Sequence, residues 1–324
     1  MERESIEYDV VVVGGGPSGL ASACKLKQLN PELSVCLLEK GSEIGSHIIS
    51  GAVFEPQTLF DLFPEEAKNC PTLKTSVVKD DLYWLTNNNK SIKVPTWLMP
   101  KSLHNKGNYI ISLGELCQWI AERAINLGVD IFPGFPAQSY LTDSNGRVCG
   151  ISTGDMGIDK EGNQKGTFTA GMDILAKQTI FAEGARGHLG KKLIKEFNLD
   201  EGKTPQHFAI GFKEIWEVDN NKHSPGDVVH TMGWPLNGGT SGGGFLYHFE
   251  NNRIAVGLIV DLNYSNTHHS PFQEFQQYKQ HPSIKQFLDS GKRVSYGARA
   301  ITKGGINSLV KMEFDGGMII GCDA

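Results

Sequence analysis

The chain opens with an ordered change of hydrophobic pattern. Val10 to Val13 form an unbroken β-branched run, which is typical of a strand buried on both faces of a parallel sheet. Leu20 to Leu29 has the periodicity of a helix, and Ser34 to Leu38 is apolar again. This strand–helix–strand order predicts a βαβ unit at the start of an α/β domain.

Three glycines separate the first strand from the helix. Gly14, Gly16 and Gly19 have the G-x-G-x-x-G spacing, which permits a tight turn, a close backbone approach to a pyrophosphate and close helix packing. Glu39 ends the second strand 20 residues after Gly19, where an acid can accept hydrogen bonds from a ribose. The combination predicts dinucleotide binding. The alternative is a glycine-rich turn in another kind of α/β protein.

The middle of the chain is mainly a pattern of strands. Asn145-Gly146 predicts a hairpin turn inside a β-meander that extends from Ser139 to Gly184. The meander ends in an apolar strand that is followed by Gly184. Ahead of it, the pattern predicts a helix at Leu116–Leu127 and strands at Leu73–Met99, Tyr109–Leu113 and Val129–Phe132.

A second, mostly antiparallel sheet is predicted to follow, with two short helices after it. Its strands are Phe208–Val218, Val228–Met232 and Gly244–Asp261, and the helices are Pro271–Tyr278 and Pro282–Leu288. Between two of these strands, Asn237 to Gly244 is rich in glycine. That density indicates either a flexible loop or a close backbone approach to a flat ligand.

One short helix carries a cluster of large apolar residues. Pro56 opens it and Pro64 stops it, and its apolar residues are Leu59, Phe60, Leu62 and Phe63. The spacing fits an ordinary core helix, or a helix that lies in a membrane interface with its apolar side down.

The C-terminal residues form an apolar strand. Gly316 to Ala324 closes on Gly-x-Asp, and in many FAD enzymes such an Asp meets the ribityl chain and a helix follows. No helix follows Ala324 in this sequence, so the chain is expected to be truncated.

Composition narrows the class of protein. The 324 residues are 39% apolar and 21% charged, which is typical of a globular chain, and the net charge of −5 argues against a nucleic-acid partner. No apolar run reaches 18 residues. Met1 to Tyr8 has no signal-peptide pattern, which indicates a bacterial cytoplasmic chain or one without its targeting segment.

The six cysteines do not form a close-spaced set. They are Cys24, Cys36, Cys70, Cys117, Cys149 and Cys322, without a C-x-x-C pair. Buried free thiols are expected, and the spacing predicts neither a disulfide framework nor a metal site.

Several longer motifs resemble one family. In chain order they are the Gly14–Gly19 fingerprint with Glu39, Ser50-Gly51-Ala52, Gly107–Ile110, Ile180–Gly184, Gly233–Leu236, Gly242–His248, His281–Ile284, Tyr296–Ala300 and Gly316–Gly321. In these motifs, and over essentially its whole length, the chain resembles electron transfer flavoprotein–ubiquinone oxidoreductases.

The resemblance implies a membrane-associated flavoprotein with FAD, a [4Fe-4S] cluster and a ubiquinone site, without a catalytic nucleophile or base. Its electron donor would be reduced electron transfer flavoprotein, and its acceptor ubiquinone. The implied quinone-binding residues are Gly242 and Gly243. The implied FAD-binding residues are Gly14, Gly15, Gly16, Pro17, Ser18, Gly19, Glu39, Lys40, Gly184 and Asp323.

The implied fold is α/β, with an FAD-binding Rossmann-like domain of the glutathione-reductase type and an inserted, mostly antiparallel quinone-binding domain. Residues 1–80, 109–200 and 306–324 are assigned to the FAD domain, with a membrane-contacting segment at about 50–71. Residues 81–108 and 201–305 are assigned to the quinone domain.

The family's cluster cysteines lie in a C-terminal region that this chain does not include, so no metal ligand is predicted. The expected location is a membrane surface, on the cytoplasmic face of a bacterial inner membrane or, for eukaryotic members, in the mitochondrial inner membrane. The alternatives are a related cluster-free quinone-linked flavoprotein or isoprenoid reductase, and a non-catalytic FAD-binding fragment.

Overall fold

The computed structural model describes residues 3–48, 51–236 and 239–324. These residues form two compact units. The first unit contains the N-terminal segment to His47, Cys117–Gln206 and Gly304–Ala324, and the second contains Ile48–Leu116 and His207–Lys303. Ser50, Asn237 and Gly238, which belong to motifs named above, lie outside the described residues.

The described chain contains helices and many short strands. The helices are α1 (Pro17–Leu29), α2 (Gln57–Leu62), α3 (Leu113–Asn126), α4 (His188–Glu196), α5 (Pro271–Gln280) and α6 (Pro282–Leu288). The strands of the first unit are β1 (Ser5–Val13), β2 (Val35–Glu39), β8 (Val129–Pro133), β9 (Ala137–Thr142), β10 (Val148–Thr153), β11 (Met156–Ile158), β12 (Gln164–Thr169), β13 (Asp173–Phe181), β19 (Glu313–Phe314) and β20 (Gly317–Ile319). Those of the second unit are β3 (Ala52–Phe54), β4 (Thr75–Ser76), β5 (Lys79–Leu85), β6 (Ser91–Val94), β7 (Tyr109–Ile111), β14 (Phe208–Glu217), β15 (Asp227–Gly233), β16 (Gly242–Phe249), β17 (Arg253–Asp261) and β18 (Lys292–Thr302).

The first unit is built on an eight-stranded sheet. Its main path is β19-β20-β13-β1-β2-β8, and β9 and β10 extend it beside β13. The pairs that β1 makes with β2 and β13 are parallel. Val10 to Val13 are buried, as the unbroken apolar run predicted. The predicted Rossmann-like α/β fold is confirmed.

The second unit contains a seven-stranded sheet in the order β18-β14-β17-β16-β15-β5-β6. Neighbours are antiparallel except for β15 and β5, which are parallel. Helices α5 and α6 cover one face through Phe275, Tyr278, Ile284 and Leu288. A three-stranded sheet, β3-β7-β4, packs against the other face through Val53, Val77 and Ile110. Because β3 and β4 pair with β7, residues from Ile48 onward belong to the second unit, earlier than the sequence-based boundary near 80.

A buried carboxylate joins three elements of the second unit. Glu214 on β14 accepts hydrogen bonds from Lys279 Nζ on α5 at 2.9 Å and from Arg293 Nη1 on β18 at 3.0 Å. Trp216 Nε1 donates to the same carboxylate at 2.8 Å. Burying a carboxylate is costly unless it is paired and hydrogen-bonded, and these donors satisfy it.

The hydrophobic pattern did not predict several elements, among them β18 and α4, and it misplaced the start of β16. It did not predict β18, because this edge strand is largely exposed and lacks a clear alternation of apolar residues. It did not predict α4, which begins after Gly187 without a side-chain cap from a neighbouring Ser, Thr, Asp or Asn. It left Gly242 and Gly243 outside the predicted strand, although β16 begins at Gly242.

Candidate functional site

The turn between β1 and α1 requires glycine at two of its positions. Gly14 has φ +113°, and a Cβ there would lie 2.4 Å from the Ala182 carbonyl oxygen. A Cβ on Gly19 would lie 2.1 Å from the carbonyl oxygen of Gly14. The first glycine therefore permits the tight turn beside β13, and the third permits α1 to pack against the turn.

Gly16 differs from the other two glycines. A Cβ on Gly16 would have no described atom within 4 Å, so the fold itself leaves this position open. Gly16 is the N-cap residue of α1, and Pro17 follows at the first position of the helix. The free N–H groups and positive dipole end of this helix face the same open space. A pyrophosphate therefore fits here on both steric and electrostatic grounds.

Glu39 lies at the end of β2, directly beside this turn. Its carboxylate accepts hydrogen bonds from Gly15 N at 2.9 Å and from Gly41 N at 2.6 Å. His47 Nδ1 lies 3.7 Å from the same carboxylate. The two backbone N–H groups fix the acid next to the phosphate-binding turn, in the position from which it can accept hydrogen bonds from a ribose. Lys40, the next residue, is exposed.

Asp323 and Gly184 come together at the ends of β20 and β13. Asp323 lies in a single 3₁₀ turn after β20, and its Oδ2 accepts a hydrogen bond from Glu183 N at 3.2 Å. Gly184 has φ +83°, and a Cβ there would have no described neighbour within 4 Å. Gly321 packs closely against Ser18, since a Cβ on Gly321 would lie 2.6 Å from the Ser18 hydroxyl oxygen. All ten predicted FAD-binding residues thus belong to the first unit.

The titration of Asp323 is strongly perturbed. Burial, and next the nearby carboxylate of Glu183, raise the pKa of Asp323 to about 7. The neutral carboxyl group is therefore favoured in the folded chain. The resulting stabilisation is complete below the ordinary pKa of 3.8 and is lost as the pH rises through about 7.

Replacing Asp323 by asparagine is therefore expected to change the pH dependence of stability. Asp323→Asn removes the ionisation but keeps the shape, so its stability relative to the unsubstituted protein should be greater at pH 8 than at pH 5. Thermal melting of the FAD-free protein at the two pH values measures this difference. Asp315→Asn, at an exposed carboxylate on the same segment, is the control. An equal effect of Asp323→Asn at both pH values would contradict the assignment.

Sequence reasoning missed the acid that organises this end of the sheet. Glu183 accepts hydrogen bonds from Leu189 N and Gly190 N, each at 2.9 Å, at the start of α4. His188 Nδ1 lies 2.9 Å from the other carboxylate oxygen. A Cβ on Gly190 would lie 2.2 Å from Asp323 Oδ1, which explains why glycine occurs there. An acid a few residues before an amphipathic segment was the available signal.

Gly242 and Gly243 lie at the start of β16. They pair with Val260 and Ile259 of β17. On the other side, the ladder with β15 ends at Thr231–Gly244, so in the described part of the chain both glycines extend beyond it. A Cβ on Gly243 would lie 2.8 Å from the Thr231 carbonyl oxygen and would have no other described neighbour closer than 4 Å. Of the two early interpretations of this glycine-rich run, the flexible loop is wrong for these two residues.

The cysteines give no cluster site. Cys24, Cys36, Cys70 and Cys117 are buried, and all six cysteines are free thiols. Burial raises the pKa of Cys36 and of Cys117 to about 12, so both remain protonated. Across residues 3–48, 51–236 and 239–324, no group of three or more His, Cys, Asp or Glu side chains is arranged to hold a metal ion. Over the same residues, no helix is long and apolar enough to cross a bilayer.

Comparisons with known proteins match both units. Residues 208–301 match the family model "ETF-QO, ubiquinone-binding", and residues 12–65 match an NAD(P)-binding Rossmann-like domain. The electron transfer flavoprotein-ubiquinone oxidoreductase of Pseudomonas aeruginosa is 60% identical over 100% of this chain and 60% of its own length. The probable enzyme of that name from Acinetobacter baylyi is 53% identical over 100% of this chain and 58% of its own length. Relatives of that name from Oryza sativa and Homo sapiens are designated mitochondrial.

The solved structures support the fold. A geranylgeranyl bacteriochlorophyll reductase-like protein from Thermoplasma acidophilum aligns with a TM-score of 0.71 at 19% identity, over 99% of this chain and 72% of that protein. The chain spans between 51% and 60% of the length of the curated relatives it matches.

Proposed function

Because this chain belongs to the electron transfer flavoprotein–ubiquinone oxidoreductase family, we propose that it forms the FAD-binding and quinone-binding part of an enzyme that passes electrons from reduced electron transfer flavoprotein to ubiquinone. One observation supports the proposal most directly. The ubiquinone-binding match covers the strand that begins at Gly242 and Gly243, both of which lie beyond the last residue pair that β16 makes with β15.

The first unit would hold FAD through the residues described above. The N-terminus of α1 and Gly14 to Gly19 would bind the pyrophosphate, and Glu39 would accept hydrogen bonds from the ribose. Gly184 and Asp323 would line the remaining path of the cofactor. When bound, FAD supplies a carrier that accepts and releases electrons. The chain's own contribution is to bind and orient this carrier, and no nucleophile or catalytic base is required.

The second unit would bind the ubiquinone ring against the backbone at Gly242 and Gly243. A flat ring can approach a backbone closely only where side chains are missing, which these two glycines provide. The unpaired edge of β16 beyond Thr231 would offer hydrogen bonds to a quinone oxygen.

The described cysteines do not fit a [4Fe-4S] cluster, because four thiolates in close spacing are required and the buried thiols here do not gather. The resemblance implies that the family's cluster belongs to a region beyond these residues.

We propose that the protein lies at a membrane surface, because a quinone with a long apolar tail is dissolved in the bilayer. In the apolar segment around α2, the side chains of Leu59 and Phe63 are buried and cannot contact a membrane. Large apolar side chains are instead exposed between β5 and the short turn at Lys101–Leu103. Their exposed fractions are 50% for Trp84, 61% for Ile92, 81% for Trp97, 56% for Leu98 and 39% for Leu103. Exposed aromatic and aliphatic residues of this kind favour an interfacial, monotopic contact.

The double substitution Trp97→Ser and Leu98→Ser is expected to weaken membrane binding. Burying each large apolar side chain is worth about 1.5–3 kcal/mol, so losing two should lower the partition coefficient by a factor on the order of 10²–10⁴. Co-sedimentation with phospholipid vesicles measures the effect. Phe272→Ser, at an exposed aromatic of α5 in the same unit, is the matched control. Equal binding by both variants would contradict the proposed surface.

The activity is tested with the full-length flavinated protein. Reduced electron transfer flavoprotein should reduce the bound flavin, and added ubiquinone should then reoxidise it. A flavin that electron transfer flavoprotein does not reduce would contradict the proposed donor. A reduced flavin that reacts only with isoprenoid double bonds would support the isoprenoid reductase alternative. A stable flavin complex without either reaction would support a non-catalytic role.

A further inference from the structure

A charged side chain lies on the same face of the seven-stranded sheet as Gly243. The register aligns Gly243 on β16 with Ile259 on β17 and Gly211 on β14. Lys213 lies two residues beyond Gly211, so its side chain projects to the same face. The Cα atoms of Lys213 and Gly243 are therefore separated by two strand spacings and two residues, on the order of 12 Å.

This part of the face is unusually poor in side chains. Gly211, Gly243 and Gly257 contribute none, and they belong to two adjacent cross-strand rows. The ring of Phe245 fills the place above Gly257, since a Cβ on Gly257 would lie 2.3 Å from Phe245 Cζ. Ile259 lies between Gly211 and Gly243, and a Cβ on Gly211 would lie 3.0 Å from Ile301 Cδ1, so the shallow surface is the one at Gly243, bordered by Phe245 and Ile259.

Lys213 lies at this border. Its Nζ is 5.4 Å from the centroid of the Phe245 ring, and it donates a hydrogen bond to the Gly51 carbonyl oxygen at 2.7 Å. An ammonium group within 6 Å of an aromatic face is stabilised by the ring quadrupole. Lys213 thus combines a main-chain contact at Gly51 with a position beside the ring of Phe245, which borders the surface at Gly243.

The surroundings of Lys213 determine how readily it releases a proton. Burial lowers the pKa of Lys213 to about 8. At neutral pH the group is therefore mainly charged, yet it releases its proton far more readily than an exposed lysine. The packed three-stranded sheet presents the apolar Val53, Val77 and Ile110 to this face. The titratable or charged groups on this face are Glu217 on β14 itself, Lys292 and Arg299 on β18, Tyr247 on β16, His230 on β15, Asp80 on β5, and Arg253 and Asp261 on β17.

We propose that Lys213 is the proton donor to one oxygen of the quinone that is reduced on the Gly242–Gly243 strand. This inference rests on the proposed function. The reduction of a quinone to a quinol consumes two electrons, which the reduced flavin of the proposed function would supply, and two protons. An N–H bond of the Lys213 ammonium breaks as one quinone O–H bond forms, which leaves a neutral amine. The second proton comes from water, and the amine regains its own proton from water after each turnover.

The competing role for Lys213 is structural, because its hydrogen bond to Gly51 also ties the segment before β3 to the sheet. Lys213→Arg separates the two roles. Arginine keeps the positive charge and can donate to the same carbonyl oxygen, but it does not release a proton at accessible pH. A structural role therefore predicts that arginine restores function, whereas a proton donor predicts that it does not.

The experiment compares Lys213→Arg with the unsubstituted full-length flavinated protein. With saturating ubiquinone at pH 7, kcat should fall by about 100-fold, which is typical of losing a general acid, while the FAD content and quinone KM stay unchanged. Electron transfer to ferrocenium, a one-electron acceptor that takes up no proton, should be unaffected. Lys93→Arg, at an exposed lysine of β6 in the same sheet, is the matched control.

A second measurement is independent of turnover. The reactivity of Lys213 toward an amine-specific reagent, followed by mass spectrometry in the FAD-free protein, should reach half its maximum near pH 8. In the unsubstituted enzyme, quinone-dependent kcat should fall as pH rises through the same value, and this limb should be absent from Lys213→Arg.

Two results would overturn the assignment. Full quinone turnover by Lys213→Arg would leave Lys213 with a structural role only. A labelling midpoint at the ordinary lysine pKa would remove it as a donor at neutral pH. Failure of the proposed function is distinguishable, since then the unsubstituted protein itself would not reduce ubiquinone.

Discussion

Replacing Gly16 by valine is expected to give a folded protein that purifies without FAD. The fold leaves the Cβ position of Gly16 open, with no described atom within 4 Å apart from its chain neighbours, so we expect the fold to tolerate the valine. It would occupy the space in which the pyrophosphate approaches the N-terminus of α1. Hydrogen bonds to a charged group are worth about 1.5–3 kcal/mol each, so losing two should weaken FAD binding by a factor on the order of 10²–10⁴. Flavin absorbance per protein measures the loss of FAD, and thermal melting measures whether the protein is still folded.

The matched control is Gly166→Val. Gly166 lies in β12 of the same unit, is exposed, and would also receive a Cβ without a neighbour within 4 Å. It is far along the chain from the glycine fingerprint, so the variant should retain FAD. Gly14→Val provides the opposite case, because a side chain there would strike the Ala182 carbonyl and should destabilise the fold itself. A Gly16→Val protein that remains yellow would refute the pyrophosphate assignment.

The second large effect is expected in the second unit, from a substitution of Gly243. Gly243→Val should impair the reduction of ubiquinone and leave FAD content unchanged. The valine side chain would cover the strand surface at Gly243, and because its Cβ would lie 2.8 Å from the Thr231 carbonyl oxygen, the backbone of β15 or β16 must also shift locally to admit it. Added methyl groups in a fitted site typically cost 1–3 kcal/mol, or about 10- to 200-fold, so the ratio kcat/KM for ubiquinone should fall by at least about tenfold.

The control for Gly243→Val uses the electron acceptor instead of another residue. Turnover with ferrocenium should remain near that of the unsubstituted protein, because this acceptor needs no fitted site on β16. Parallel losses with both acceptors would indicate damage to the fold or to FAD binding. Unchanged turnover with ubiquinone would remove Gly243 from the site.

The start of the dinucleotide unit was predictable because its chemistry is local. An unbroken β-branched strand, three spaced glycines and an acid 20 residues after the last of them describe one continuous turn. The structure adds contacts that the spacing of residues along the sequence does not reveal. Glu39 is fixed by the backbone of Gly15 and Gly41, and Gly14 is required by Ala182, which directly follows β13 and is distant in sequence.

The proposed quinone-binding surface was less predictable, because it depends on pairing between distant strands. Gly211, Gly243 and Gly257 come from three strands, and only the register places them on one face. The run around Gly242 offered two interpretations, since glycine is common both in loops and where a backbone is approached closely. Lys213 carried no local signal at all, because its burial arises from packing across the sheet and against the segment at Gly51.

The Glu214 cluster has a consequence for the motions of the quinone-binding unit. Its donors come from α5 and β18, and detaching either element would leave a buried carboxylate with an incomplete set of partners. Partial opening at this place is therefore nearly as unfavourable as complete opening. Helix α5, β14 and β18 should exchange their amide hydrogens as one cooperative unit, so the sheet that carries the proposed quinone-binding surface should not open locally.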